Sequence, residues 1–160
     1  MRALLLSLAA LLALPGCRLK TEVCTSHFNS GRTWSVRFYR DGLPGKKWIV
    51  WYANGNPYFG SGYVAGARDG QWDTASPEGR EILMRTYVED ELEGLWRRRY
   101  TDGSPMEEGH LENGLRTGVW RRYHPDGSLA EEAEYLGGVY SGSVRRFDGE
   151  GGVLFEATFP

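Results

Sequence analysis

Tryptophans stand at positions 48, 72, 96 and 120, each 24 residues after the last. One step further falls on Val144 and one step back on Cys24, both apolar. Other columns keep the same period. A glycine stands seven residues after each of these six slots, from Gly31 to Gly151. Two residues before the slot come Gly70, Gly94, Gly118 and Gly142, with Lys46 breaking the column. Fifteen residues after it the chain has Tyr39, Tyr63, Tyr87, Leu111, Tyr135 and Phe159. Eighteen after it come Gly42, Gly66, Gly114 and Gly138, with Asp90 as the exception. No long window shows apolar residues at the three- and four-residue spacing of an amphipathic helix.

Each unit therefore predicts a β-hairpin. A strand is expected to start at the slot, as in Trp96 to Tyr100, where alternate residues share a face. A tight turn is expected at Asn54-Gly55, Asp102-Gly103 and Asp126-Gly127, dipeptides that tolerate positive φ. The return strand carries the second aromatic, and a further glycine turn leads into the next unit. Ala130 to Tyr135 has helix-forming residues, but its columns match return strands elsewhere, so it is read as strand. A lone hairpin is marginal in water. Stacked units share one elongated core, rising about 9.6 Å per hairpin at roughly 4.8 Å per strand. The predicted fold is all-β, an elongated array of antiparallel hairpin repeats over 24–160. Its units begin at 24, 48, 72, 96, 120 and 144, and its core is Trp48, Trp72, Trp96, Trp120, Tyr39, Tyr63, Tyr87, Tyr135 and Phe159.

The first residues follow a different pattern. Arg2 precedes an apolar run, Ala3 to Leu14, of twelve residues. As a helix this run spans only ~18 Å, short of a hydrocarbon core of ~30 Å, so a secretory signal fits better than a membrane span. Leu14-Pro15-Gly16-Cys17 is similar to the lipobox of bacterial lipoproteins, in which the cysteine takes a diacylglyceryl group and becomes the new N-terminus. That resemblance implies a signal peptide over 1–16, lipidation at Cys17 and a short linker to residue 23. With Arg18 next, it further implies an outer-membrane destination, facing the periplasm or the outside. If Cys17 carries lipid, Cys24 has no second cysteine to pair with, so no disulfide is expected.

Composition narrows the function. Glycine at 22 of 160 residues is about twice the ordinary share of ~7%, and 21 aromatics accompany it. A net charge of −2 lacks the positive field of a nucleic-acid binder. The pattern Gly-x-Trp-x(3)-Tyr-x(2)-Gly, as in Gly94-Leu95-Trp96 through Tyr100 to Gly103, resembles the MORN repeat, closest to the bacterial MORN-variant family with antitoxin-like members. Gly118-Val119-Trp120 with Asp126-Gly127 fits it too, with Tyr123 one residue early, and Ser76-Pro77-Glu78 departs from it. The resemblance implies a scaffold or adaptor and does not specify a partner.

Candidate chemistry is sparse. Arg97, Arg121 and Arg145 form one column, and Arg98, Arg122 and Arg146 a second, which is a candidate anion-binding stripe. Glu107, Glu108, Glu131, Glu132 and Glu156 are expected to lie across the hairpins, where charge pairing on a solvated face accounts for both sets. His27, His110 and His124 fall in different columns and lack metal-ligand spacing. Gly60-Ser61-Gly62 is a glycine run within a strand, not a phosphate loop. No catalytic constellation, metal or cofactor is expected. The sequence thus points to a non-enzymatic, lipid-anchored repeat module that binds a protein at the bacterial envelope. Its rivals are a module for peptidoglycan or lipopolysaccharide and an antitoxin or immunity-type protein.

Overall fold

The computed structural model describes residues 21–160 and, as backbone only, residues 7–10. Most of the expected signal peptide and Cys17 lie outside the described residues. Fifteen strands account for the fold of the described residues. They are β1 (Ser7–Ala10), β2 (Thr21–His27), β3 (Thr33–Arg40), β4 (Leu43–Trp51), β5 (Pro57–Ser61), β6 (Tyr63–Val64), β7 (Ala67–Arg68) and β8 (Gly70–Ala75). They continue as β9 (Glu81–Val88), β10 (Glu91–Arg99), β11 (Pro105–Glu112), β12 (Leu115–Tyr123), β13 (Leu129–Leu136), β14 (Val139–Phe147) and β15 (Val153–Phe159). Thirteen of them form one antiparallel meander in chain order, and β6 and β7 pair only with each other. The expected all-β hairpin array is the observed architecture, with Ala130 to Tyr135 in strand β13.

The slot strands begin upstream of where the tryptophans predict. β10 starts at Glu91 and β12 at Leu115, five residues before Trp96 and Trp120. The reason lies in two alternating turn types. The turns after the slot are three-residue loops, not two-residue ones. Tyr100 N–H donates to the Ser104 carbonyl and Gly103 N–H to that of Tyr100, both at 2.9 Å. Only Gly103 takes a positive φ, of 94°, while Asp102 uses its carboxylate to accept from Ser104 N–H at 2.8 Å. The two-residue turns lie eighteen residues after the slot, where both residues have positive φ, as in Asn113 (51°) and Gly114 (75°). Asp90 keeps this geometry at φ 73° without a glycine, and Arg68 holds it through backbone and side chain.

Neighbouring units are stitched at both margins. On the three-residue-turn side, Tyr52 Oη donates to Ala75 O at 2.9 Å and Tyr100 Oη to Tyr123 O at 3.0 Å. His124 Nε2 meets Phe147 O at 3.2 Å in the same column. His124, not Tyr123, therefore fills the place four residues after the slot that Tyr52 and Tyr100 hold in other units. On the other side, Asp90, Gly114 and Gly138 donate backbone N–H to the carbonyls of Arg68, Leu92 and Arg116.

The core runs along one face and alternates in quality. Trp72 and Trp120 are buried, whereas Trp48 and Trp96 are half-buried. The indole N–H of Trp72 donates to Gly62 O at 3.1 Å, and that of Trp120 to His110 O at 3.0 Å. Those of Trp48 and Trp96 are buried without a partner. Four residues before each well-packed tryptophan stands an arginine that lies over it. Arg116 is 4.2 Å from the Trp120 ring centre and Arg68 is 5.9 Å from that of Trp72 and 4.3 Å from that of Tyr87. The same place holds Pro44 before Trp48 and Leu92 before Trp96. The packing period is thus 48, twice the sequence period. Of the other expected core residues, Tyr87 is buried, while Tyr39, Tyr63, Tyr135 and Phe159 are half-buried. Met84, Leu111, Ala133 and Val144 are also buried. Gly109 has no room for a side chain, because the Trp120 ring lies flat on its backbone.

The sheet narrows at one junction. β5 and β8 share two register pairs, Phe59 with Thr74 and Gly60 with Asp73. β5 ends at Ser61, and the chain leaves the sheet at Gly62 to make the β6–β7 hairpin before returning. The expected glycine run inside a strand is therefore the place where a strand breaks. A Cβ at Gly62 would collide with the Asp69 carbonyl.

Candidate functional site

Three surfaces collect the side chains able to meet a partner: the arginine columns, the margin of two-residue turns, and the broken junction. In the arginine columns, antiparallel pairing puts opposite charges in register. Arg121 faces Glu132 and Arg145 faces Glu156. These pairs close at 2.8 and 2.7 Å on the face away from the tryptophans. Arg97 turns instead to Glu81 at 3.4 Å, which it shares with Arg99.

The second column divides. Arg122 and Arg146 both reach Glu131, at 3.4 and 2.6 Å, and this carboxylate is only 7% exposed. Glu131 accepting from Arg146, with the Tyr140 hydroxyl beside it, holds that guanidinium above its ordinary pKa. Arg98 faces Glu107 in register, but Glu107 accepts from Arg116 at 2.5 Å. Arg98 is exposed and makes no ion pair among the described residues. The expected stripe of Arg98, Arg122 and Arg146 thus has one free member and two held ones.

The histidines stay apart. His124 stitches two units and the carbonyl of His110 accepts from Trp120. Among the described residues no three His, Cys, Asp or Glu groups converge as metal ligands. Cys24 is a free, half-buried thiol.

The margin of two-residue turns carries a row that sequence reading did not single out. Leu43, Val64, Val88, Leu115, Leu136 and Val139 flank successive turns and are 48–67% exposed. Their signal in sequence is an apolar residue one step outside each positive-φ pair, where a polar residue would serve a solvated turn equally well.

At the broken junction two clefts open. One, of about 590 Å³, lies between the β3–β4 hairpin and the β6–β7 hairpin. Its walls include Phe38, Tyr39, Leu43, Pro44, Tyr63 and Val64. The other, of about 620 Å³, lies over β5, with Ile49, Tyr58 and Phe59 in its lining. Lys46, the residue that breaks the glycine column, borders both. Burial raises the pKa of the Tyr63 hydroxyl, so it is a neutral phenol at physiological pH.

Comparison with known proteins bears on this geometry at one place. No curated protein matches the chain. A family model described as the MORN repeat variant matches residues 116–136, from the second residue of β12 through the Asp126-Gly127 turn to the end of β13. The matched stretch contains Trp120 and Tyr135 and pairs Arg121 with Glu132 in the register that neighbouring units repeat. Residues 116–136 are thus similar to the MORN repeat variant and lie in an array whose other units share their columns.

Proposed function

We propose that this protein is a non-enzymatic repeat module, anchored through lipidated Cys17 at the bacterial outer membrane, that holds a protein partner. The observation that carries the reading is the exposed apolar row along the two-residue-turn margin. Six residues at 48–67% exposure recur with the repeat and form a ridge rather than scattered singles. Consecutive hairpins lie about 9.6 Å apart, so the ridge presents apolar knobs at regular intervals along one margin. A partner with matching grooves buries several at once, and the backbone stitches of Asp90, Gly114 and Gly138 keep the knobs in line.

Photocrosslinking in the native envelope tests this. A photoreactive residue in place of Leu115 or Leu136 should capture one discrete protein. The same residue in place of Glu132, four residues inward from Leu136 along β13 and off the ridge, should not. Recovery of glycan alone, or equal labelling from all three sites, refutes the reading. The anchor has its own test: Cys17→Ser should abolish lipid labelling and leave unprocessed precursor.

A further inference from the structure

We propose that the cleft between the β3–β4 and β6–β7 hairpins binds an apolar monocarboxylate, a fatty-acid-like molecule whose carboxylate docks on Arg37 and Trp48. Two independent observations meet here. The first is the cleft, whose volume of about 590 Å³ falls within the ~300–1,000 Å³ of small-molecule sites. Its walls are mainly apolar, and its charged side chains are Arg40, Asp41 and Lys46, all exposed.

The second is a pair of orphan donors. A smaller cavity of about 60 Å³ shares Phe38, Tyr39, Pro44 and Tyr63 with the cleft and is also lined by Arg37 and Trp48. Arg37 Nε and Trp48 Nε1 are both buried without a hydrogen-bond partner. The Arg37 guanidinium lies 4.5 Å from the Trp48 ring centre and makes no ion pair among the described residues. Buried N–H groups ordinarily find acceptors, so two orphans beside a cationic centre favour an anionic oxygen ligand.

The elements explain why these donors are left open. In the well-packed units the indole N–H reaches the carbonyl ten residues back, and an arginine covers the ring. Before Trp48 that arginine is Pro44, and the Trp48 indole N–H has no acceptor. Two donors suit the two oxygens of one carboxylate. The apolar walls suit an acyl chain better than a peptide, whose amides need partners that apolar side chains do not offer. Charge agrees. Residues 21–80 carry seven Lys/Arg against five Asp/Glu, whereas residues 81–160 carry nine against sixteen.

Titration calorimetry of the full chain with laurate, below its micellar concentration, is the test. Saturable binding of one laurate per chain is expected. Dodecanol, the same chain without the carboxylate, should bind at least about tenfold more weakly, and Arg37→Gln should weaken laurate by a similar factor. Trp48→Phe keeps the packing, removes the N–H and should cost several-fold. Trp96→Phe, which removes the other orphan indole N–H, should change affinity less than about twofold. Val64→Glu alters an exposed wall residue without touching the core and should also weaken binding about tenfold, so the test survives if Arg37→Gln fails to fold. Absence of saturable binding, equal affinity for dodecanol, or tighter binding of an apolar peptide acid than of laurate overturns the proposal.

Discussion

Replacing Trp120 with alanine should destabilise the protein far more than replacing Trp96, although sequence gives the two identical places in the repeat. Both lie in interior units with neighbours on each side, so position in the array does not separate them. Packing does. A large aromatic buries ~150–250 Å², which at ~25 cal/mol per Å² sets an upper bound of about 4–6 kcal/mol. Trp120 is 4% exposed, so nearly all of that applies, and its bond to His110 O adds about 1 kcal/mol. Relaxation around the cavity brings the expectation to about 3–5 kcal/mol, the range for large core aromatics. Trp96 is half-buried, has no arginine over its ring and loses no hydrogen bond, so its cost should be about half. The gap of roughly 2 kcal/mol corresponds to about 4–8 °C in melting temperature for a chain of this size. Urea unfolding followed by far-ultraviolet circular dichroism measures it without relying on the deleted fluorophore. Equal losses, within about 0.5 kcal/mol, would refute the packing period of 48. Trp72→Ala against Trp48→Ala repeats the comparison in the other half of the array.

Three further outcomes follow from the local geometry. Gly103→Ala, at φ 94°, should cost about 1–3 kcal/mol in the same assay, whereas Gly149→Ala, at an ordinary φ and with room for the methyl, should stay within about 0.5 kcal/mol. Hydrogen bonds from Ser104 and Ser128 hold the Asp102 and Asp126 carboxyls below their usual pKa. Their contribution is therefore complete above about pH 5 and fades as pH falls below about 4 through the lowered folded-state values. Midpoints measured between pH 6 and pH 3 should fall less steeply in Asp102→Asn/Asp126→Asn, and an unchanged slope counts against the turn bonds. Arg146→Gln should lower stability measurably because it strips a partner from the buried Glu131, while Arg98→Gln should lie within about 0.5 kcal/mol of wild type. If the two variants melt alike, the division of the arginine column is wrong.

The hairpin array was legible because periodic columns constrain it many times over. Tryptophan, glycine and tyrosine columns at one spacing leave little freedom in register, and the Arg–Glu pairing followed from them: Arg121 faces Glu132 as expected. The turns were less legible. Asp-Gly is compatible with two-residue and three-residue loops, and the choice between them rests on whether aspartate takes positive φ or uses its carboxylate to bond two residues ahead. Tyr123 drew attention as the repeat tyrosine, yet backbone register gives the slot to His124, whose imidazole meets the Phe147 carbonyl as the Tyr100 hydroxyl meets that of Tyr123. The unequal burial of the tryptophans was hidden for a simpler reason. It depends on Pro44, Arg68, Leu92 and Arg116, a column that alternates in kind and so does not stand out as a repeat.

The same alternation bears on where the molecule yields. Stability in a stacked array is close to a sum over units and the junctions between them, so the junction with fewest bonds sets the weakest link. Between β5 and β8 only two register pairs remain, where β12 and β13 share six. Side chains bridge this gap instead. The Phe59 ring packs edge-on against both Trp48 and Trp72, at 5.6 and 5.2 Å. Tyr52 donates to Ala75, and Asn54 and Asn56 both donate to Pro77 O. Side-chain bridges of this kind tolerate a change of angle that a full ladder of backbone bonds resists. Both clefts open at this junction, and the apolar ridge starts beside it at Leu43 and Val64. A ligand wedged between the β3–β4 and β6–β7 hairpins therefore acts on the most compliant joint of the array. If the ridge docks a partner as proposed, such a ligand would alter the line along which the two meet.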